Sequence, residues 1–448
     1  MNFKKIFVLI IILVSLLFGI YLANKKKEKM EESKIIVNLK SDEINKIELR
    51  EGKRKIVIGK EGKNWKILSP IKTNADEIIV ERIVDDFAEL KPEKIVDKNP
   101  SDLKKYGLSN PERGITLYSE KGKKYTLLFG DKGPLGDEYY AKLDNSTEVV
   151  LLSSNKRDDI MKDVKELRDK HILKVETEDV KGFIVDNKKD KKLIELKRDG
   201  ERWFFLRPEK CLASESKIDD ILFSIQNLEA KDILKDSPSE KDLAEYNLNS
   251  PELEVEVKEK DGTKKIIVAK KGEDYYAFSK DSNFIAKIDS TFVDDVSKEF
   301  KDLREKKVAV FSGYEINKIE LSFKGKYYLM EKDQNGTWRV KKPEKFILQD
   351  EKVSDLISAL EELESKEIID TPLSLKDYGL DKPSSKVKLF PEDGKPIIIL
   401  FGKETDNDIY VMNKEFSYIF KVGKDILDKF PKKSIIDWKF KENKKEED

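Results

Sequence analysis

The sequence predicts an α+β chain: an N-terminal transmembrane helix followed by three tandem repeated domains of antiparallel strands and helices. Three observations lead there. Residues 6–23 are an uncharged apolar run, and a set of aromatic, glycine and proline markers then recurs three times, roughly 135 residues apart. Within each copy, alternating strand patterns surround one helical pattern.

The first element is the run IFVLIIILVSLLFGIYLA. As a helix at 1.5 Å per residue it spans about 27 Å, against a hydrocarbon core of about 30 Å. A cleaved leader competes with this reading. However, Tyr21 lies two before Ala23, where an A-x-A-like site wants a small residue, and no cysteine follows for lipid attachment. The expectation is an uncleaved anchor over residues 1–24. Lys4 and Lys5 precede the run, whereas Lys25, Lys26, Lys27 and Lys29 follow it, so a literal charge count keeps the chain in the cytoplasm. Long domains translocate largely regardless of such charges, and an extreme N-terminal apolar run reads like an export signal. The expected localisation is therefore a single-pass cell-membrane protein with most of its chain extracytoplasmic.

Behind this run the chain repeats itself. Ile44-Asn45-Lys46-Ile47-Glu48-Leu49 recurs unchanged as Ile316-Asn317-Lys318-Ile319-Glu320-Leu321. Trp65 with Pro70 is matched by Trp203 with Pro208 and by Trp338 with Pro343. Tyr106-Gly107-Leu108 with Pro111 is matched by Tyr246-Asn247-Leu248 with Pro251 and by Tyr378-Gly379-Leu380 with Pro383. A unit of this size can bury its own core, unlike a solenoid repeat of about 20–50 residues. The expected domains are 33–173, 174–308 and 309–440, with 441–448 a charged disordered tail.

Each copy opens with an alternating hairpin, in the first through Ile47, Leu49, Ile56, Ile58, Trp65 and Ile67. A helix follows, with Ile79, Ile83, Phe87 and Leu90 at helical spacing and Asn74 with Glu77 as its capping box. Its counterparts carry Ile218, Leu222, Ile225 and Leu228, and Val353, Leu356, Ile357 and Leu360. Strands are expected around 115–117, 125–129, 139–142 and 149–152, and a charged helix over 158–169 closes the copy. Grouped rather than strictly alternating elements favour α+β over a parallel α/β sheet.

The recurrent residues read as structural. Leu103, Leu243 and Leu375 stand three before the tyrosine, and Gly107, Asn247 or Gly379 follows it, the residue types that tolerate a left-handed helix cap. The next leucine folds back and the proline stops the helix, a Schellman-type ending. Each tryptophan ends an alternating strand, where a hairpin packs its largest side chain inward. Tyr139-Tyr140, Tyr275-Tyr276 and Tyr410 sit mid-strand, so one ring of each pair points outward and is a candidate for stacking on sugars.

Composition excludes several classes. Lys+Arg and Asp+Glu balance at 89 each, which removes the positive footprint of a nucleic-acid binder, so no nucleic-acid partner is expected. One cysteine (Cys211) and one histidine (His171) leave no internal disulfide and no multi-Cys or His-rich metal site. His171 reads as a surface residue and Cys211 has no counterpart in the other copies. G-x-S-x-G, G-x-x-x-x-G-K-[ST] and H-E-x-x-H are absent from the sequence. No catalytic, cofactor-binding or metal-ligating residue is assigned and no cofactor is expected. With 89 acidic residues, a carboxylate pair for hydrolysis has no distinguishing signature.

Asp102-Leu103-Lys104-Lys105-Tyr106-Gly107-Leu108-Ser109-Asn110-Pro111, ahead of Phe129-Gly130-Asp131 and Tyr139-Tyr140-Ala141, resembles the bacterial domain-of-unknown-function 4340 family. Leu375-Lys376-Asp377-Tyr378-Gly379-Leu380-Asp381-Lys382-Pro383, ahead of Phe401-Gly402-Lys403, resembles it again. The middle copy departs at Asn247 and at Val268-Ala269. The resemblance implies a membrane-anchored protein found beside ABC-type transporters of the gliding-motility kind, and it brings no catalytic residue with it. The functional expectation is a non-enzymatic accessory or scaffold protein, with ABC-type transporter subunits or an envelope component as partners. The alternatives are an envelope polysaccharide-binding protein and an envelope hydrolase with an unrecognised carboxylate site.

Overall fold

The computed structural model describes residues 39–441, apart from Thr371 and Leu373. The chain divides into two compact units, one ending at Lys170 and the other beginning at His171.

In the first unit the sequence alternation builds a nine-stranded, wholly antiparallel sheet. Its strands are β1 (Ile44–Glu51), β2 (Arg54–Glu61), β3 (Asn64–Ser69), β4 (Thr73–Asn74), β5 (Lys94–Asp97), β6 (Arg113–Ser119), β7 (Lys124–Lys132), β8 (Glu138–Leu143) and β9 (Val149–Ser153). The order β4-β3-β2-β1-β6-β7-β8-β9-β5 joins two meanders through β1 and β6. Ile47 faces Ile58 on one side and Leu117 on the other, and Leu49 faces Ile56 and Ile115, so one register lines up a continuous apolar face. The helix Glu77–Ala88 covers that face with Val80, Ile83, Val84 and Phe87. It is the recurrence of apolar residues every three to four positions that fixes this stripe.

The second unit holds two further sheets of the same order. The first comprises β10 (Gly182–Asn187), β11 (Lys192–Asp199), β12 (Arg202–Arg207), β13 (Cys211–Leu212), β14 (Asp232–Asp236), β15 (Leu253–Glu259), β16 (Gly262–Lys271), β17 (Asp274–Ser279) and β18 (Phe284–Ile288). The second comprises β19 (Ile316–Phe323), β20 (Lys326–Lys332), β21 (Trp338–Lys342), β22 (Phe346–Ile347), β23 (Glu367–Ile369), β24 (Ser385–Pro391), β25 (Ile397–Glu404), β26 (Asp408–Asn413) and β27 (Ile419–Gly423). Helices Glu215–Gln226 and Asp350–Glu361 take the place of Glu77–Ala88.

Trp65, Trp203 and Trp338 are buried in the cores under these helices. The proline five residues after each follows a cis peptide bond. The other face of each sheet carries a smaller apolar cluster, in the first copy Tyr106, Leu108 and Val149 with Leu128 and Tyr140. Runs such as Leu127-Leu128-Phe129 are continuously apolar because alternate side chains serve the two clusters.

Four expectations are corrected. The fold is dominated by antiparallel sheet rather than α+β: the described residues form three nine-stranded sheets, and the main helix of each copy has only 12 residues. The expected closing helix over 158–169 breaks into Ser154–Ile160 and the four-residue Val164–Leu167, because Asp163 and Glu166 form a capping box that starts the second helix anew. The helix cap of the first copy is Asp76, whose carboxylate accepts from the Ile79 N–H, while Asn74 belongs to the edge strand β4. The single-pass membrane placement is not supported: among the described residues no helix is long and apolar enough to cross a membrane. The run 6–23 on which it rested, and the tail from 442, lie outside the described residues.

Candidate functional site

The Tyr-Gly-Leu segments are built as stops. Leu108 N–H donates to Leu103 O at 3.0 Å and Gly107 N–H to Lys104 O at 3.0 Å, with Gly107 at φ +69°. Leu248 and Leu380 repeat the longer bond, each at 2.9 Å, with Asn247 and Gly379 at φ +62° and +66°. This is the Schellman pattern. The segments cover the outer face of the sheet, and the tyrosine pairs are spent there. Tyr140 packs on Tyr106 at 5.0 Å, Tyr276 on Tyr246 at 4.9 Å and Tyr410 on Tyr378 at 5.0 Å between ring centroids. Tyr139 lies under the guanidinium of Arg157 at 4.9 Å. The rings expected to face outward for stacking on sugars are thus held in side-chain packing.

Cys211 and His171 are not brought together as reactive partners. His171 Nε2 lies 3.5 Å from Glu229, at a β-bridge between the two residues. Cys211 is buried at the end of a docking contact between the second and third copies. Ala213 bridges to Arg304 within copy two, and Lys307 bridges to Glu364 of copy three. Ser365 N–H donates to Lys306 O at 2.8 Å, and the buried Asn413 amide donates to Val308 O at 2.9 Å. Arg304 lies between Phe300 at 5.3 Å and Tyr418 at 5.1 Å and pairs with Asp370 at 2.6 Å. Burial pushes the Cys211 thiol up to about 12 and raises Tyr418 above the ordinary phenol range. The Arg304–Asp370 pair and the Arg304–Tyr418 stacking cross from copy two to copy three, so this cluster fastens two copies together.

A carboxylate pair does occur, in the first copy, where the sequence offered no way to pick it out. Asp86 and Asp159 line an open cleft of about 270 Å³ with Glu89, Leu90, Lys91 and Lys156. Asp86 is held above the usual carboxyl range, first by burial and then by the Asp159 charge. Lys156 is already engaged, donating to Lys91 O at 2.8 Å and to Glu93 at 3.0 Å. Two carboxylates at one cleft make it a place that favours a cationic group. The equivalent helix positions are Ser224 and Ala359, so the feature belongs to copy one alone. Among the described residues, no group of three or more His, Cys, Asp and Glu side chains is placed to hold a metal ion.

A second open cleft, about 370 Å³, lies at the end of the third copy and is lined by Tyr327, Tyr328, Pro343, Phe346, Ile435 and Ile436 among others. Its lining is mostly apolar, with Lys326 and Glu344 the charged members.

No match was found among curated proteins. Solved structures with some likeness include the DNA polymerase III subunit beta of Pseudomonas aeruginosa, at 8% identity and TM-score 0.16 over 85% of this chain and 92% of that one. A putative DNA polymerase III beta subunit from Eubacterium rectale has 7% identity and TM-score 0.17 over 87% and 93%. Likeness of that extent carries no statement about fold or function. The model of a domain of unknown function, DUF4340, matches residues 65–241, 203–370 and 338–445. Each match begins at one of the recurrent tryptophans, Trp65, Trp203 and Trp338. The chain therefore belongs to the DUF4340 family, with the family pattern present three times in tandem.

Proposed function

We propose that this chain is a non-enzymatic repeat scaffold that binds a protein partner. One observation carries the reading: the recurrent aromatic markers are packed inside, while the four most exposed large apolar side chains have no apolar counterpart in the other copies. Tyr314 is 96% exposed, Leu135 80%, Ile78 70% and Phe223 66%. Register places Tyr314 opposite Asp42 and Glu178, and Phe223 opposite Asp85 and Ser358. A fold that accepts a charged or polar residue at these positions twice does not need an aromatic there. Exposed aromatic anchors of this kind are what a protein-binding surface uses. The partner class to seek first is a subunit of an ABC-type transporter, which the family resemblance implies.

The test is affinity purification of the tagged full chain against the double variant Tyr314→Asp, Phe223→Asp. The first copy already carries Asp at both places, as Asp42 and Asp85, so the variant is expected to keep the fold. A partner recovered in near-equal amount with the native chain and lost with the variant is the expected result. A partner retained by the variant, or none recovered by the native chain, would overturn the reading.

A hydrolase is the second reading, favoured by the raised carboxyl of Asp86 beside Asp159. Turnover of glycan or peptide substrates that disappears in Asp86→Asn would establish it in place of the scaffold.

A further inference from the structure

We propose that the cleft at the end of the third copy binds a segment of a partner protein in which a carboxylate residue directly precedes an aromatic one. The inference stands on residues other than Tyr314 and Phe223 and holds whether or not those two anchor a partner.

What fills the same place in copy two shows what fits. A four-residue helix closes each copy beside its edge strand, Phe300–Leu303 in copy two and Ile435–Trp438 in copy three. Matching hydrogen bonds fix the correspondence: Ser214 N–H donates to Leu303 O and Gln349 N–H to Trp438 O, both at 2.8 Å. Ile435 therefore stands where Phe300 stands, and Ser434 where Glu299 stands. Strand pairing sets the opposite wall. Tyr328 faces Leu321 as Ile194 faces Val185, and Phe346 faces Val340 as Cys211 faces Phe205. Lys326 opens β20 as Lys192 opens β11. In copy two this place is full. The Phe300 ring packs edge-on against Phe205 at 4.9 Å between centroids, with the Arg304 guanidinium 5.3 Å from its own centroid, and Glu299 bonds Lys192.

In copy three the same place is open. Ile435 and Val340 replace the two rings, and Ser434 replaces the acid, its hydroxyl turning back to accept from Ile436 N–H at 3.5 Å. The cleft of about 370 Å³ lies there, with Tyr327 and Ile436 exposed on its walls and Phe346 half-buried. Its three rings are new: Lys55, Ile56 and Thr73 occupy the places of Tyr327, Tyr328 and Phe346 in copy one, and Leu193, Ile194 and Cys211 do so in copy two. An aromatic lining thus appears in the copy that lacks an aromatic filler of its own. Lys326 likewise keeps the place of Lys192 without the glutamate that Lys192 bonds. The acids at the mouth do not substitute for it. Asp437 is spent as a helix cap, accepting from Lys433 N–H at 3.0 Å and from Ser434 N–H at 3.3 Å. Glu344 lines the cleft, but its counterpart Glu209 is present in copy two as well, where the Lys192–Glu299 bond forms regardless. Copy two therefore displays the ligand: a ring for the groove and, one residue before it, a carboxylate for the lysine.

The test measures binding of a fluorescently labelled peptide copying residues 297–303, which carries Glu299 and Phe300, to the full chain. The expected result is binding that is lost when the peptide carries Phe300→Ala and weakened by roughly fivefold or more when it carries Glu299→Lys. Lys326→Glu in the chain should weaken the native peptide to a similar extent and restore the Glu299→Lys peptide, a recovery that also shows the variant to be folded. Phe346→Thr, the residue of copy one, should weaken both peptides. No binding of the native peptide to the native chain at millimolar concentration would overturn the proposal. Binding that ignores Lys326→Glu would overturn it too, by seating the peptide elsewhere or by making the ring alone sufficient.

Discussion

Copies one and three end the strand under the Tyr-Gly-Leu turn differently from copy two. In copy one the β7–β8 register shifts between Phe129 and Lys132, and in copy three β25–β26 shifts between Phe401 and Glu404. In both, two residues on one strand, Gly130-Asp131 or Gly402-Lys403, oppose one on the other, Tyr140 or Tyr410, a β-bulge. In copy two β16 and β17 pair without a break from Ile266 to Lys271. The residues explain the difference. A Cβ on Gly130 would lie 2.0 Å from Tyr106 O, and one on Gly402 2.2 Å from Tyr378 O, so the turn presses directly on the bulged backbone. Copy two carries Ala269 there, fully buried against Leu248. Its turn is held from the side instead, by the Asn247 amide donating to Lys270 O at 2.9 Å. A glycine pressed beneath the turn, or an alanine there with an asparagine amide bonded to the strand, are alternative ways to seat the same turn on the sheet.

The largest effects should come from breaking the close contact. Gly130→Ala and Gly402→Ala force the turn off the strand and should cost about 2–4 kcal/mol each. The measurement is the denaturant midpoint of the transition for the unit concerned. A loss below about 1 kcal/mol in both would mean that the turn yields freely and that the glycine pairing is incidental. Next come the left-handed positions. Gly107→Ala adds a side chain at φ +69° that would sit 2.5 Å from the Asp131 carboxyl carbon, so a loss of about 2 kcal/mol is expected. Asn247→Ala meets the same backbone strain without that collision, loses its amide bond, and should cost about 1–2 kcal/mol. Losses in the reverse order would show that the two seats are not the alternatives they look like.

These contacts also mark where the sequence was legible. The spacing of Leu103, Tyr106, Gly107 and Leu108 announces the Schellman stop, because that motif is made by bonds within six residues. Alternation in the 44–69 hairpin and the 3.6-residue stripe of the main helix are equally local, and Trp65 reads as core for the same reason. The edge strands β4 and β5 were not legible. Thr73–Asn74 and Lys94–Asp97 are short and half exposed, and they exist because a neighbouring strand offers them hydrogen bonds. The same holds for Arg304, Asp370 and Cys211, which meet only when two copies dock, and for Asp86 and Asp159, two among many carboxylates until the fold brings them to one cleft. The outward tyrosines misled for a simpler reason. A side chain pointing off the sheet reads as solvent-facing, but the Tyr-Gly-Leu turn covers that face.

A smaller effect is expected where copy two is converted. Asn247→Gly with Ala269→Gly gives it the residues of its siblings, exchanging an amide bond and a buried methyl for two glycines. The loss should stay near 1 kcal/mol, because the regular β16–β17 pairing is independently satisfied. A much larger loss would mean that the bulge must form and that the amide had been replacing it.

The finest comparison is the helix position occupied by Asp86, Ser224 and Ala359. Ser224 Oγ donates to Asp220 O at 3.1 Å and is neutral, whereas Asp86 is ionisable, half buried and near Asp159. Its native pKa is raised above the ordinary value of 3.8. Below that value both native and unfolded chains hold the proton and the carboxyl costs nothing. As pH rises through the window up to the raised native value, the unfolded chain loses its proton first, and stability of the first unit falls. Asp86→Ser should therefore raise the unfolding midpoint of that unit at pH 7 by a small amount, with the gain vanishing below about pH 4. A gain that persists unchanged in acid would assign the benefit to packing rather than to charge. A loss at pH 7 would show that copy one keeps Asp86 for a contact that the serine of copy two does not make.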